Sequence, residues 1–379
     1  MASLSLAHAS RRLLTPSHSF SQLRTRIIKN PAFDSQFMSR SFSRKNSVLL
    51  SSNFKTGIAC MSTTTSPGGK DDQKLSGENE KVGGVLSWID YLPREIQPYA
   101  KLARVEKPIG TWLLIWPFLW SATLAAPPGS LPDFKTLALF ACAAPLLRGA
   151  ACTINDILDR DIDRMVERTK LRPIASGAVS PLQGLCFLAF QLILSHGILL
   201  QLTNYSPIYE ASYIFLMSTY PLMKRLTYWA QAYLGLTFNL GALFGWHAIK
   251  ASLQPSIVLP LYMSGIFWTL VYDTIYAHQD KEDDIKVGVK STALKFGDSS
   301  KEWTTAFAIA CISSLALSGY NAGIGWPYYV FLAAASGQLA WQIGTVNLSS
   351  PADCSRKFVS NKWFGALIFS GALLGRFFP

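Results

Sequence analysis

The sequence predicts an all-α fold, a multi-pass membrane helix bundle of about nine transmembrane helices. Three observations predict it. Hydrophobic residues make up 49% of the chain and charged residues only 15%, well below the roughly 25% charged residues of soluble domains. A succession of long apolar runs begins near residue 109 and continues to the end of the chain. Basic residues cluster in alternate connections between these runs, as expected if each run crosses a bilayer.

The N-terminal part of the chain predicts a targeting segment. The net charge is +12, but residues 1–70 hold most of the basic excess and a single acid, Asp34. This placement argues against a basic nucleic-acid-binding face on the folded body, and no nucleic-acid partner is expected. A Ser-rich, Arg-containing and acid-poor leader is typical of a transit peptide, here mitochondrial rather than plastid by its Arg content. An ordinary disordered tail is the alternative. Residues 71–94 are predicted to be a linker, and 95–379 the membrane domain.

The apolar runs of the membrane domain predict helices. A helical span needs about 20 apolar residues, and the runs lack the period-two alternation of barrel strands. In hydrocarbon only helices and closed barrels satisfy the backbone. The runs lie near 109–126, 137–158, 181–203, 208–222, 231–249, 256–277, 303–320, 326–346 and 362–378.

The connections after even-numbered runs carry the Lys and Arg clusters, whereas those after odd-numbered runs offer only Lys135 and Lys250. By the positive-inside rule, the clustered side faces the cytoplasm or, in a mitochondrion, the matrix. The N-terminus of the membrane domain is expected on the same side, because Lys101, Arg104 and Lys107 precede the first run.

An acidic motif ends the second run. Asn155, Asp159 and Asp163 lie at positions i, i+4 and i+8, which places their oxygens in one stripe along a helix. Asp156 and Asp161 fall off this stripe and are expected to be solvated. Acids at the end of a membrane helix are costly and by default indicate function.

A second acidic motif ends the sixth run. Asp273, Asp280 and Asp284 share a stripe, with Tyr276 between them. Two facing stripes of carboxylates would repel one another and take up protons, and hard divalent cations relieve this repulsion. Mg²⁺ uses one or two carboxylates and takes its other ligands from water and substrate phosphates. The pair of motifs therefore predicts a magnesium site.

Basic residues flank the acids, which indicates an anionic substrate. Arg148 precedes the first motif by about two turns, and Arg168, Lys170 and Arg172 follow it. Guanidinium groups bind phosphate oxygens well, so a site holding both signs of charge suits a metal–diphosphate complex.

The ordered motifs resemble those of the UbiA superfamily of intramembrane prenyltransferases. Its hallmark is an NDxxDxxxD motif with a second Asp-rich motif, matched here from Asn155 to Asp163 and from Asp273 to Asp284. The 4-hydroxybenzoate branch is matched further by Lys107-Pro-Ile-Gly, by Tyr220-Pro-Leu-Met-Lys-Arg, and by Arg168-Thr-x-x-Arg-Pro-x-x-Ser-Gly177. One departure is Ala230, where the family usually has Pro, and it concerns only the entry to a helix.

The resemblance implies nine helices around a lipid-open cavity, with the motifs at its polar mouth. It implies transfer of a polyprenyl chain from polyprenyl diphosphate to C3 of 4-hydroxybenzoate, a step of ubiquinone biosynthesis. It places the enzyme in the mitochondrial inner membrane with the active site facing the matrix, and it leaves open an association with other ubiquinone-biosynthesis proteins.

The resemblance also implies roles for individual residues. Asp159 and Asp273 are the expected catalytic carboxylates, and Arg148 and Asp273 the residues near the aromatic acid. The diphosphate ligands are expected to be Arg168, Arg172, Tyr220 and Lys224. The Mg²⁺ ligands are expected to be Asn155, Asp159, Asp163, Asp273, Asp280 and Asp284.

Three other functions compete with this interpretation. Enzymes that alkylate other acceptors, such as homogentisate, share the acidic motifs, and the donor could be geranyl diphosphate. A cation-coupled transporter also uses intramembrane acids, but both acidic sets here lie at helix ends beside the Arg cluster. A non-catalytic scaffold would leave both stripes unexplained.

Overall fold

The computed structural model describes residues 88–379, and within this range all regular structure is helical. The predicted transit segment and most of the predicted linker lie outside the described residues. The described part opens with one turn of 3₁₀-helix, Trp88–Tyr91, and a short helix α1, Gln97–Leu102.

The predicted apolar runs all form helices, and their bounds fall within a few residues of the predicted ones, except for an earlier start of the last helix. These helices are Ile109–Ala125 (α2), Phe134–Leu158 (α3), Pro181–Leu199 (α5), Pro207–Leu226 (α6), Ala230–Phe238 (α7), Gly241–Lys250 (α8), Pro255–Ala277 (α9), Ser300–Asn321 (α12), Pro327–Thr345 (α13) and Pro351–Phe377 (α14). Shorter helices occupy the connections: Arg160–Asp163 (α4), Lys281–Val287 (α10) and Thr292–Phe296 (α11).

The fifth apolar run is broken into two helices, α7 and α8, at Asn239 and Leu240. The Asn239 side chain is buried, and its amide donates to the Gly235 carbonyl at 2.8 Å and to Thr269 Oγ1 at 3.0 Å. Asn side chains that bond to nearby backbone groups compete with the helical ladder. This competition is a local reason for the break.

Several helices are suited to crossing a membrane. In the described range, four stretches are long and apolar enough by length and composition, and α2 is a shorter apolar helix. The four are Phe134–Leu158, Pro181–Leu199, Pro255–Val287 and Thr292–Asn321. The all-α, multi-pass fold class is confirmed, while the count of nine spans stays a prediction.

Aromatic side chains from three helices form the centre of the bundle. Trp120 of α2 and Trp268 of α9 have ring centroids 5.3 Å apart, and Phe364 of α14 lies 5.0 Å from Trp268. Both indole N–H groups have acceptors: Trp120 donates to the Gly365 carbonyl and Trp268 to Asn361 Oδ1, each at 2.9 Å. Satisfied donors allow large rings to be buried without an unpaired polar group. This core anchors α9, whose C-terminal end carries the second acidic motif.

Candidate active site

The first acidic motif lies at a bend between two helices. Helix α3 ends at Leu158 and α4 begins at Arg160, and the intervening Asp159 has φ −94° and ψ 8°. The helical spacing nevertheless continues, because Asp159 N–H donates to the Asn155 carbonyl and Asp163 N–H to the Asp159 carbonyl, both at 2.8 Å. Asp159 and Asp163 are both buried. The predicted stripe therefore survives the bend.

The second acidic motif starts on α9 and continues beyond its end. Asp273 lies in the last part of α9, Asp280 ends the 3₁₀ turn His278–Asp280, and Asp284 lies on α10. Asp273 and Asp284 both interact electrostatically with Asp280, Lys224 and Arg168. The three acids therefore face one charged region.

An ion pair joins the loop after the first motif to the second motif. Arg168, from the loop after the first motif, donates to both carboxylate oxygens of Asp280 at 2.7 and 2.6 Å. Its guanidinium also lies 5.7 Å from the centre of the Tyr276 ring. The two acidic segments, about 110 positions apart in the chain, therefore meet at one place, as the prediction of a shared site requires.

Helix α6 supplies the next basic group. Lys224 Nζ donates to Asn155 Oδ1 at 3.0 Å and lies 3.4 Å from Asp159 Oδ2. The ammonium also lies 4.8 Å from the centre of the Tyr220 ring. Tyr220 in turn interacts electrostatically with both Asp159 and Asp273. Two of the predicted diphosphate ligands, Tyr220 and Lys224, thus lie between the two acidic motifs.

The prediction that Asp156 is solvated was wrong. Its side chain is only 1% exposed, and Arg104 Nη2 donates to both of its oxygens at 2.8 Å. Arg172 bridges this pair to the first motif, with Nη1 3.3 Å from Asp156 and 2.8 Å from Asp163. Asp156 therefore faces away from the stripe of Asn155, Asp159 and Asp163 and pairs with two arginines. Asp161, by contrast, has a side chain 90% exposed, as predicted.

Three acids of the site, Asp159, Asp163 and Asp280, form ion pairs with basic groups. In residues 88–379, no three His, Cys, Asp or Glu side chains form a group that could hold a metal ion by themselves. Burial raises the pKa of the Asp163 carboxyl, and Arg172 opposes that rise. Hard oxygen donors from an Asn and several Asp residues are nevertheless the donor set that Mg²⁺ uses, with phosphate oxygens completing its shell. The predicted ligands fit the ion chemically and stay a prediction.

Arg148 lies apart from the ion pairs and deeper along α3. Its Nη1 donates to Cys152 Sγ at 2.6 Å, its guanidinium is 5.6 Å from the centre of the Phe238 ring, and its Nε is buried without a partner within the described range. Arg148 also interacts electrostatically with Asp273. An unpaired buried N–H is costly, so this guanidinium is suited to receiving an anionic group.

A glycine makes room for Arg148. A Cβ built on Gly110, at the start of α2, would overlap the Arg148 guanidinium. Because Gly110 has no side chain, the Arg148 guanidinium of α3 can lie against the start of α2. The Lys107-Pro-Ile-Gly110 motif was matched in the sequence without a role, and the structure assigns one to its glycine.

Two arginines that contact the acids were not among the predicted site residues. Arg104 has a left-handed φ of 57° and holds Asp156, and Arg225 donates to the Leu158 carbonyl at 3.0 Å and to Asp159 Oδ1 at 3.3 Å. Arg225 adjoins Lys224 in a quoted motif, which was a usable signal. No sequence signal pairs Arg104 with Asp156, because they are 52 positions apart.

Known proteins share this architecture. The UbiA prenyltransferase family model matches residues 114–368. A 4-hydroxybenzoate polyprenyltransferase, mitochondrial, of Arabidopsis thaliana is 68% identical over 79% of this chain and 75% of that protein. A 4-hydroxybenzoate geranyltransferase 2 of Lithospermum erythrorhizon is 60% identical over 79% of this chain and 97% of that protein.

Solved structures agree on the fold. The apo structure of a UbiA homologue from Aeropyrum pernix K1 superposes with a TM-score of 0.59 at 23% identity, covering 69% of this chain and 97% of that one. A UbiA homologue from Archaeoglobus fulgidus bound to DMAPP and Mg²⁺ gives a TM-score of 0.50 at 16% identity, covering 72% and 99%. The family match spans most of the membrane domain and includes both acidic motifs, so this chain belongs to the UbiA prenyltransferase family.

Proposed function

We propose that this protein transfers a polyprenyl chain from polyprenyl diphosphate to C3 of 4-hydroxybenzoate, a step of ubiquinone biosynthesis. The observation that carries the proposal is the meeting of the two acidic motifs through Arg168 and Asp280, with basic groups between them. The printed name of the Arabidopsis relative, at 68% identity, supports the acceptor.

The acids would hold divalent metal, and Mg²⁺ is the ion that the oxygen donors favour. When bound, it neutralises charge that develops on the diphosphate. The proposed ligands are Asn155, Asp159, Asp163, Asp273, Asp280 and Asp284. With a metal on the carboxylates, Arg168, Arg172 and Lys224, which now pair with Asp280, Asp163 and Asp159, would be available to phosphate oxygens.

The basic groups and Tyr220 would stabilise the leaving diphosphate. As the allylic C–O bond breaks, its electron pair passes to the diphosphate oxygen. Charged donors held in a water-poor site stabilise such developing charge strongly. Arg168, Arg172 and Lys224 already contact Asp280, Asp163 and Asn155 in this region.

The acceptor would lie deeper, beside Arg148. Its guanidinium would receive the carboxylate of 4-hydroxybenzoate and orient C3 toward the allylic carbon. The ring then forms the new C–C bond with assistance to its hydroxyl from Asp273 or Asp159, and a base removes the C3 proton. Aromatic side chains such as Phe238 stabilise the allylic cation through their ring faces.

Gly110 offers a test of this placement. Gly110→Ala is expected to displace the Arg148 guanidinium and lower kcat/KM for 4-hydroxybenzoate by about tenfold or more, because small misplacements in a site are costly. The KM for the prenyl diphosphate should be unchanged. Gly337→Ala is the matched control, since a Cβ there meets nothing within 4 Å. Equal kinetics for the two variants would contradict the role of Gly110.

The acceptor assignment is tested with purified protein in lipid vesicles, Mg²⁺ and one long-chain prenyl diphosphate. We expect product with 4-hydroxybenzoate, little with homogentisate and none with haem, and loss of product on removing the metal with a chelator. Preference for homogentisate would overturn the acceptor. Absence of any prenylated product, with ion flux instead, would favour a transporter.

The relative named 4-hydroxybenzoate geranyltransferase supports an alternative donor, geranyl diphosphate. Competition between geranyl and a long-chain diphosphate at equal concentration distinguishes the two. Higher kcat/KM with the geranyl donor would favour the alternative.

The proposed location is the mitochondrial inner membrane, with the active site facing the matrix. The name of the Arabidopsis relative includes the word mitochondrial, and residues 1–70 have the composition of a transit peptide. The basic connections adjoin the acidic motifs, so the positive-inside rule places the site on the matrix side. We propose the domain boundaries 1–70, 71–94 and 95–379 on the same grounds.

A further inference from the structure

A cavity outside the active site lies between the N-terminal segment and the loop that follows the first acidic motif. Its volume is about 180 Å³, and its walls include Arg94, Gln97, Lys101, Leu171, Pro173 and Ser176. The loop side of the cavity ends shortly before helix α5, which begins at Pro181 and is a candidate membrane span. The cavity therefore lies near the surface of the membrane, on the face that carries the basic connections.

The charge of the cavity is positive. Arg94 makes no ion pair or side-chain hydrogen bond with any residue in the described range, and the one described ion pair of Lys101, to Asp90, is long at 3.9 Å and half exposed. Such an exposed pair contributes little. A guanidinium and an ammonium that share one cavity attract an anion, and phosphate oxygens suit both groups.

Exposed apolar side chains occur in the wall of this cavity and in the N-terminal segment that leads to it. Leu171 in its wall is 81% exposed, and the adjoining segment exposes Trp88 (52%), Tyr91 (79%) and Ile96 (51%). Aromatic residues are enriched at the boundary between bilayer and water. A free phosphate ion would contact only the basic groups. A phospholipid carries both a phosphate and acyl chains, so it can contact the basic groups and the apolar side chains together.

We propose that this cavity binds the phosphate of an anionic phospholipid from the surrounding bilayer. Basic pockets and basic segments at the inner membrane face attract anionic headgroups by charge. Arg94 and Lys101 contact the headgroup, and Trp88, Tyr91 and Leu171 lie against the acyl region. The inference is independent of the proposed prenyl transfer, because it concerns a different surface.

The bound lipid ties together two segments that lead into the active site. One wall of the cavity is formed by α1, which is followed closely by Arg104. The other wall includes Leu171 and Pro173, which flank Arg172. Both arginines bind the buried Asp156. A ligand that contacts both walls favours the conformation in which these two arginines meet. Amide hydrogen exchange of residues 164–178 is therefore expected to slow when the lipid is present.

The binding test uses the full chain in detergent and native mass spectrometry, with phosphatidylglycerol and phosphatidylcholine offered at equal concentration. The wild type is expected to retain one phosphatidylglycerol. The double variant R94Q/K101Q should retain about thirtyfold less, since each Lys or Arg near an anionic headgroup contributes about fivefold. The charge-preserving variant R94K/K101R should retain the lipid, which separates loss of charge from loss of folding.

The matched control is K301Q/K362Q, which removes two positive charges from helices that do not line the cavity. It should retain phosphatidylglycerol as the wild type does. Equal loss in both double variants, or equal retention of phosphatidylcholine, would overturn the site. Displacement of the lipid by millimolar inorganic phosphate would reassign the cavity to a free anion.

Discussion

Replacing Asp159 by Asn is expected to lower prenyl transfer by at least about a hundredfold. Groups that only support a metal ligand already cost ten- to a hundredfold when removed, and Asp159 is proposed to contact the metal itself. Asn keeps the size of the side chain, and Lys224 and Arg225 retain a polar neighbour at that position. The measurement is the turnover of purified protein at increasing Mg²⁺, where the variant should also need a higher concentration of metal.

Asp161→Asn is the matched control for this prediction. Asp161 lies two positions along the same segment, but its side chain is 90% exposed and makes only a loose ion pair with Arg164 at 3.8 Å. Its turnover and its Mg²⁺ requirement should equal those of the wild type. If Asp159→Asn were as active as Asp161→Asn, the metal site would not include the first acidic motif, and the proposed chemistry would fail.

The second large effect is expected on stability. Asp156→Asn should lower the free energy of unfolding by about 3–5 kcal/mol, because removing one partner of a buried ion pair leaves the other charge uncompensated. Here Arg104 would lose its carboxylate partner, and Arg172 would lose one of its two and keep Asp163. The measurement is thermal unfolding of the purified protein in detergent, and a clear fall in Tm is expected.

Asp283→Asn is the comparison for this stability prediction. Asp283 forms one ion pair with Lys286, at 3.0 Å, and the lysine side chain is 70% exposed. Exposed pairs contribute about 0–1 kcal/mol, so Tm should hardly change. A small effect of Asp156→Asn, similar to that of Asp283→Asn, would show that Arg104 and Arg172 do not depend on Asp156.

The burial of Asp156 could not be predicted from helical spacing. Helical spacing separated Asp156 and Asp161 from the stripe of Asn155, Asp159 and Asp163. It treated the two residues alike, although one is buried and the other solvated. The difference arises from Arg104 and Arg172, which approach from other segments. A helical pattern describes one face of one helix and carries no information about what packs against the other faces.

The break between α7 and α8 combines a local bond within α7 with a contact from another helix. The apolar run predicted one span near 231–249. Hydropathy does not show whether such a run forms one helix or two. Asn239 ends α7 by bonding to Gly235 and to Thr269 of α9. Its partner on α9 is a tertiary contact, so the pattern of apolar residues alone could not place the break.

The amino-acid sequence by itself determined the helical membrane fold, the two acidic stripes and their basic neighbours. Helix period, the length of apolar runs and the side on which charge accumulates are local properties of a chain in a bilayer. Only the tertiary structure decided that Arg168 meets Asp280, that Gly110 admits Arg148 and that Asp156 is buried. Such pairings depend on how helices distant in the chain pack together, because the partners of a buried charge are set by geometry rather than by sequence separation.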